Sequence, residues 1–406
     1  MPCLVTGVLT RLHFAKCASA LKFVYKLLSY RAKSRKATTA MITHTDHFHG
    51  SDLEKIEQLY HIKKENIISF SANVNPLGLS GKLCEALKEH LDVITSYPDR
   101  EYTELRKSIA SYCHTDFENV VAGNGSTELI SAVLRQKAFK NACLISPTYS
   151  EYEREISLGG GVCHYYMLTP ENHFALCTEE LFAFLSDKEI ELLVLCNPNN
   201  PTSTALNREI LAEILGFCKK NGVFVMFDET YIEFVEDDAD TTAVPFLSHF
   251  DNFIILRGIS KFFASPGLRL GYGLTGSRTL IRSINETKNP WTINSLAEYA
   301  GRVLFTDEEY IRRTKTLIHT ERNRVCGILR TIPGLKVYEP AANFVLVKIE
   351  KENRNADILF DAAIRRSLMI RNCSTFQGLD NRFFRLCFMN PEENDLLLSC
   401  IRKTMG

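Results

Sequence analysis

The chain has 406 residues, 45% of them hydrophobic and 24% charged, and its 48 basic and 48 acidic residues cancel. This suits a globular protein with core enough for more than one domain. A net charge of zero gives nucleic acid or a membrane surface no hold on the molecule as a whole, so a small anionic substrate would need a local basic site. The 13 cysteines form no CxxC pair, so no metal site is indicated. Several lie in apolar runs, as buried reduced thiols do.

Residues 1–40 carry Arg11, Lys16, Lys22, Lys26, Arg31, Lys33, Arg35 and Lys36, and the first carboxylate is Asp46. No apolar run there reaches membrane-spanning length. A basic, acid-free amphipathic leader reads as an organelle transit peptide, or the true start is Met41 and the leader is not part of the working protein. The second reading is favoured because interpretable sequence follows Met41. The leader is expected to be disordered, and the rest of the chain to be cytoplasmic unless residues 1–40 target an organelle.

From residue 90 onward, short apolar runs alternate with helical patterns. The runs are VVAG (120–123), NACLIS (141–146), ELLVLC (191–196), VFVMFD (223–228), NFIILR (252–257) and GYGLTG (271–276). Between them lie helical segments such as REILAEILGFCKKNG, whose Lys219, Lys220 and Gly222 make a helix stop. The alternation predicts an α/β sheet, mostly parallel, with helices on both faces. The pattern then shifts to one long helical stretch (295–330), the strands LKVYEP and NFVLVKI, a helix (355–367), and the strands LMIRN and RFFRLCF. This predicts a large domain over 91–290 and a smaller α+β domain over 291–406, which residues 41–90 join.

Ligands of open α/β sheets lie beyond the carboxyl ends of the strands. There stand Gly123-Asn124-Gly125-Ser126-Thr127 at a helix start, Asn197-Pro198-Asn199-Asn200-Pro201-Thr202, Asp228-Glu229-Thr230-Tyr231, and Ser260-Lys261 with Arg269 eight residues on. Each alone has a plain explanation, such as a capped turn, a Pro/Asn turn or a solvated lysine. In this order and spacing, with YPD (97–99) and SPTYSEY (146–152), they resemble the fold-type I pyridoxal-phosphate enzymes, the aminotransferase superfamily. The resemblance spans roughly residues 45–406.

It implies a seven-stranded, mostly parallel sheet between helices, pyridoxal 5′-phosphate as cofactor, and a homodimer. Lys261 would be the amine that joins the cofactor aldehyde and moves protons at the substrate α-carbon. Asp228 would pair with the pyridine nitrogen, Asn200 and Tyr231 would bond the ring 3′-oxygen, and Tyr149 would stack on the ring. Gly125, Ser126, Thr127 and Arg269 would hold the phosphate, with Tyr97 reaching over from a second subunit. Arg385 would bind the substrate α-carboxylate. Gly258 stands where many relatives have Ser or Thr, so one phosphate contact is missing or replaced by backbone.

His49-Gly50-Ser51-Asp52, Ser71-Ala72-Asn73-Val74-Asn75-Pro76-Leu77-Gly78 and Ile370-Arg371-Asn372-Cys373-Ser374-Thr375-Phe376 look like threonine-phosphate decarboxylases of cobalamin synthesis, close cousins of histidinol-phosphate aminotransferases. Ser51 replaces a glycine usual in the first motif. Arg371 lies fourteen residues before Arg385, the family's spacing for a second, phosphate-binding arginine. His49, Gly50, Asn75 and Asn200 would complete the substrate pocket. The resemblance implies decarboxylation of L-threonine O-3-phosphate. Alternatives are an aminotransferase acting on histidinol phosphate or an aromatic amino acid, and a serine-phosphate decarboxylase. A non-catalytic cofactor-sensing regulator would need a DNA-binding domain, for which residues 1–40 are too short and lack a helix-turn-helix pattern.

Overall fold

The computed structural model describes residues 52–136 and 138–406, so the leader of residues 1–40 lies outside the described residues. In chain order the strands are β1 (Ile68–Ser69), β2 (Val120–Gly123), β3 (Asn141–Ser146), β4 (Val162–Met167), β5 (Leu192–Cys196), β6 (Phe224–Asp228), β7 (Phe253–Gly258), β8 (Gly271–Leu274), β9 (Leu335–Val337), β10 (Phe344–Ile349), β11 (Leu368–Met369), β12 (Arg371–Asn372) and β13 (Phe383–Cys387). The helices are α1 (Leu53–Tyr60), α2 (Gly81–Glu89), α3 (Thr103–Tyr112), α4 (Gly125–Gln136), α5 (Glu151–Leu158), α6 (Thr178–Asp187), α7 (Arg208–Lys220), α8 (Arg278–Thr287), α9 (Ser295–Leu304), α10 (Glu308–Arg330), α11 (Ala356–Ile364) and α12 (Pro391–Met405).

Seven strands form one sheet in the order β2-β8-β7-β6-β5-β3-β4. Its neighbours are parallel except at β8, which runs antiparallel to β2 and β7. This is the seven-stranded, mostly parallel α/β sheet that the resemblance implies. Strands β5, β6 and β7 are buried along their whole length. Strands covered on both faces need no polar alternation, which is why their sequences are unbroken apolar runs. Helix α7 shows how the covering layer is built. The Asn207 side chain accepts from the Ile210 N–H at 3.1 Å, and Leu211, Ile214, Leu215 and Cys218 make the buried stripe. Lys219 and Lys220 occupy the last turn, and Gly222 follows at φ 72°.

Several elements differ from the sequence expectation: β1 was not expected, and the single strand LMIRN divides into β11 and β12, which belong to different sheets. Strand β4 was not among the expected runs. It is an edge strand, exposed at Val162 and Met167, and VCHYYM lacks the continuous apolar character of its buried neighbours. The expected helix over 295–330 is two helices. Asp307 breaks it: its side chain accepts from the Tyr310 N–H at 3.2 Å and from the Ser80 hydroxyl, so it caps α10 and ties it to the N-terminus of α2.

A second, four-stranded sheet has the order β12-β13-β10-β9 and is antiparallel throughout. Strand β1 pairs in parallel with β11, and the Cys387 N–H donates to the Phe70 carbonyl at 2.9 Å. The N-terminal strap of residues 68–75 is thereby tied to the C-terminal part of the chain. Among the described residues no helix is long and apolar enough to cross a membrane.

Behind the end of β6, Glu229 is fully buried. It accepts from Arg257 Nε at 3.0 Å and Nη2 at 2.7 Å, from the Thr242 hydroxyl at 2.9 Å and from the Ala243 N–H at 2.8 Å. The pair locks the loop after β6 onto β7. Removing one partner leaves a buried, uncompensated charge. Arg257→Met should therefore lose roughly 3–5 kcal/mol of stability, read from the urea unfolding midpoint. Replacing Glu229 by Leu in the same protein should recover much of that loss.

Candidate active site

The carboxyl ends of β5, β6 and β7 open into a cavity of about 560 Å³, which Arg371 and Arg385 of the second sheet also line. Asp228 is the last residue of β6 and is buried. Tyr152 donates its hydroxyl to Oδ2 at 2.5 Å, while the Thr230 N–H at 3.0 Å and the Thr230 hydroxyl donate to Oδ1. Donors on both oxygens satisfy the carboxylate and hold it in one orientation.

Lys261 follows β7 by three residues and donates its Nζ to the Ala72 carbonyl at 2.7 Å. Burial, and next the positive charge of Arg385, pull its pKa down to about 8. An amine so tuned is partly neutral near pH 7 and can act as a nucleophile. Arg385 donates Nη1 to the Asn200 amide oxygen and Nη2 to the Ser71 carbonyl at 2.6 Å, while its Nε is buried without a partner. The Asn200 oxygen is thus engaged, and its NH₂ end is left to donate to a ligand. Tyr231 accepts from the Asn73 amide at 3.4 Å and meets the Phe344 ring edge-on at 4.9 Å. One strap, Ser71 to Asn73, therefore touches Arg385, Lys261 and Tyr231 in succession.

At the other end of the cavity α4 begins at Gly125, and Ser126 and Thr127 of its first turn line the wall with Arg269. The first backbone N–H groups of a helix lack intrahelical acceptors and attract anions. Gly125 has φ 75°, and a Cβ there would collide with the Arg269 guanidinium. A Cβ at Gly271 would collide with the Ser126 backbone nitrogen. Only glycine lets arginine and helix start approach this closely. A Cβ at Gly258 would come within 3.2 Å of the Leu270 carbonyl, so the side chain usual at that position has little room. Ser260 is also on the wall.

The fourteen-residue spacing becomes a cross-strand pair. Arg371 of β12 stands directly opposite Arg385 of β13, so both side chains fall on one face. Arg371 donates Nη2 to the Thr375 hydroxyl at 2.9 Å and lies over the Phe376 ring at 5.3 Å. Burial, with the charge of Arg385 adding to it, pulls Arg371 down to about 10, so it remains a cation at neutral pH.

Gly125, Ser126, Thr127, Tyr149, Asn200, Asp228, Tyr231, Lys261, Arg269, Arg371 and Arg385 thus gather at one place. Asn75 does not, and its expected substrate contact is revised. Its Nδ2 faces inward, 2.8 Å from the Phe262 carbonyl, 2.9 Å from the Tyr310 hydroxyl and 2.8 Å from the Thr314 hydroxyl, which its two protons share, and its backbone N–H donates to the Lys261 carbonyl at 3.0 Å. It anchors the strap behind Lys261. Tyr97 stays outside the cavity of its own chain, 80% exposed, with its ring 4.9 Å from that of Trp291. His49 and Gly50 lie outside the described residues. Sequence reasoning missed Tyr152, Thr230 and Thr375. The only signal for Tyr152 was its place three residues after Tyr149, which puts the two on one side of a helix start.

A ligand carrying an aldehyde, a basic ring nitrogen and a phosphate would find here an amine, a buried carboxylate, and a glycine-lined cradle at a helix start. Pyridoxal 5′-phosphate has those three groups and fits this donor set.

The model of the family "Aminotransferase class I and II" matches residues 65–401. A protein of Caldanaerobacter subterraneus subsp. tengcongensis, provisionally named threonine-phosphate decarboxylase, is 37% identical over 82% of this chain and 88% of its own. The threonine-phosphate decarboxylase of Salmonella typhimurium is 30% identical over 88% of this chain and 96% of its own. Among solved structures, the histidinol-phosphate aminotransferase of Clostridium acetobutylicum superposes with a TM-score of 0.78 at 30% identity, covering 83% of this chain and 98% of that one.

The neutral fraction of Lys261 should govern cofactor uptake. Only the unprotonated amine attacks an aldehyde, and the folded pKa is about 8. In the cofactor-free protein the rate of pyridoxal 5′-phosphate addition should rise about tenfold per pH unit below that value and flatten above it. Stopped-flow absorbance would measure it.

Proposed function

The chain belongs to the aminotransferase class I and II family, whose enzymes work with pyridoxal 5′-phosphate, and we propose that it uses this cofactor to decarboxylate L-threonine O-3-phosphate. The product would be (R)-1-amino-2-propanol O-2-phosphate, an intermediate class suited to cobalamin biosynthesis. The observation that carries the reading is the registered pair Arg371 and Arg385, two cations on the wall of the cavity that holds Lys261. The substrate offers one carboxylate and one phosphate of charge about −1.5 to −2 at neutral pH, a match for two guanidinium groups. The decarboxylase names of the two relatives above support the choice of reaction.

When bound, the cofactor draws electrons from the bond at the substrate α-carbon that stands perpendicular to its ring. The side chains divide the rest of the work. Lys261 would be the amine joined to the cofactor aldehyde and, once freed, would deliver a proton to the α-carbon. Asp228 would hold a proton on the pyridine nitrogen. The Asn200 amide and the Tyr231 hydroxyl would bond the ring 3′-oxygen, and Tyr149 would cover the ring face. Gly125, Ser126, Thr127 and Arg269 would hold the cofactor phosphate. Arg385 would receive the substrate carboxylate and orient it for departure as CO₂, while Arg371, braced by Thr375, would receive the substrate phosphate. Tyr97, exposed and outside the cavity of its own chain, fits a role across a homodimer interface.

A second reading, transamination of histidinol phosphate, has the 30% identity to the Clostridium acetobutylicum enzyme in its favour. Incubation of the holoenzyme with phosphothreonine separates the two. The decarboxylase should release CO₂ and amino-alcohol phosphate in equal amounts. Accumulation of a 2-oxo acid and pyridoxamine phosphate without CO₂ would exclude it. Hydrogen bonds to charged groups contribute about 1.5–3 kcal/mol, so Arg371→Met should lower kcat/KM for phosphothreonine roughly 10–100-fold. The same variant should leave the slow turnover of unphosphorylated threonine little changed.

A further inference from the structure

Tyr152 is fully buried in α5, and its ring meets that of Tyr149 edge-on at 5.6 Å. Its hydroxyl has one proton to give. Two acceptors are in reach, Asp228 Oδ2 at 2.5 Å and the sulfur of Cys196. Cys196 stands opposite Asp228 in the β5–β6 register and gives its own thiol proton to the Pro198 carbonyl at 3.3 Å. Sulfur is a weak acceptor and an ionised carboxylate a strong one, so the phenol proton goes to Asp228. Burial holds the Tyr152 phenol well above its usual range, which keeps it a donor at every working pH.

The Asp228 carboxylate has a limited charge to share. Oδ1 already accepts from the Thr230 N–H and hydroxyl, and Oδ2 accepts from Tyr152. Each donor stabilises the anion and weakens its pull on any further proton. We propose that Tyr152 is a positioning residue that sets how firmly Asp228 holds a proton on the cofactor's pyridine nitrogen. By occupying Oδ2 it moderates the electron demand of the ring from the side remote from the substrate. This inference rests on the assignment of Asp228 to that nitrogen.

The titratable groups facing Asp228 come from every element around it. They are Tyr149 from the loop before α5, Tyr152 from its first turn, Cys196 from β5, Tyr231 from the turn after β6, and Lys261 from beyond β7. Burial raises the three tyrosines and the thiol, Tyr149 to about 12, so they stay neutral across the neutral range. In the holoenzyme Lys261 is joined to the cofactor. Among the protein's own groups, Asp228 and its donors are therefore the ones whose change the ring nitrogen would register, and wild type and variants share the cofactor's own ionisations.

The test is ¹⁵N NMR of the holoenzyme carrying cofactor labelled at the ring nitrogen, titrated over pH. With Tyr152→Phe the midpoint for losing the ring proton should move to higher pH by about one to two units, the scale of one charged hydrogen bond. Tyr152→3-fluorotyrosine, a stronger donor of nearly the same shape, should move it to lower pH and keeps the test usable if the phenylalanine variant folds poorly. Asp228→Asn provides the reference and should leave the nitrogen largely unprotonated. The inference is overturned if Asp228→Asn has that effect while neither change at Tyr152 moves the midpoint, or if both move it in the directions opposite to those given. If Asp228→Asn leaves the nitrogen signal unaltered, the assignment of Asp228 itself falls, and that outcome is distinguishable from failure at Tyr152 alone.

Discussion

The parallel register of β5, β6 and β7 is the constraint on which the cavity depends. Cys196 stands opposite Asp228, and Asp228 opposite Leu256. Strands β5 and β6 therefore end at one level and β7 two residues beyond it, and the chain leaving each lines the same cavity. Asn200 comes from the first exit, Asp228 with Thr230 and Tyr231 from the second, and Lys261 from the third. A shift of one residue in β6 would send the carboxylate to the opposite face of the sheet. The buried Glu229–Arg257 pair, placed just past Asp228, pins that register from behind.

Charge is distributed unevenly around this frame. The molecule has no net charge, yet Lys261, Arg269, Arg371 and Arg385 line one cavity with the carboxylates Asp52, Glu151 and Asp228. The cations sit at the two ends where a cofactor phosphate and a doubly anionic amino acid would place their own charges. The carboxylate of Asp228 sits between them, with its hydrogen-bond capacity nearly filled by neighbours.

How much of this could be read beforehand depended on the kind of signal. Buried strands announce themselves as apolar runs, so the five interior strands and the buried edge strand β2 were legible, whereas the half-exposed edge strand β4 was not. Asp307 was hidden because a capping aspartate followed by two glutamates also suits a continuous helix. Residues at strand ends stood out because the architecture dictates where ligands go, and their expected roles came from the family resemblance. Asn75 shows the limit of that reasoning. Its motif lies on the strap over the cavity, but the side chain faces three interior acceptors, and no spacing distinguishes an anchor from a ligand contact. Tyr152 was illegible for a related reason, since its value lies in a single contact to a residue 76 positions away.

The strap of residues 71–73 has a consequence for how tightly anything can bind. The carbonyls of Ser71 and Ala72 accept from Arg385 Nη2 and Lys261 Nζ, so an incoming anion or aldehyde does not meet bare cations. It must exchange with these internal acceptors, and only the difference between old and new hydrogen bonds contributes to affinity. A guest that presents amine, carboxylate and phosphate together can displace the whole arrangement at once, so selectivity comes from the number of its handles as much as from the shape of its body.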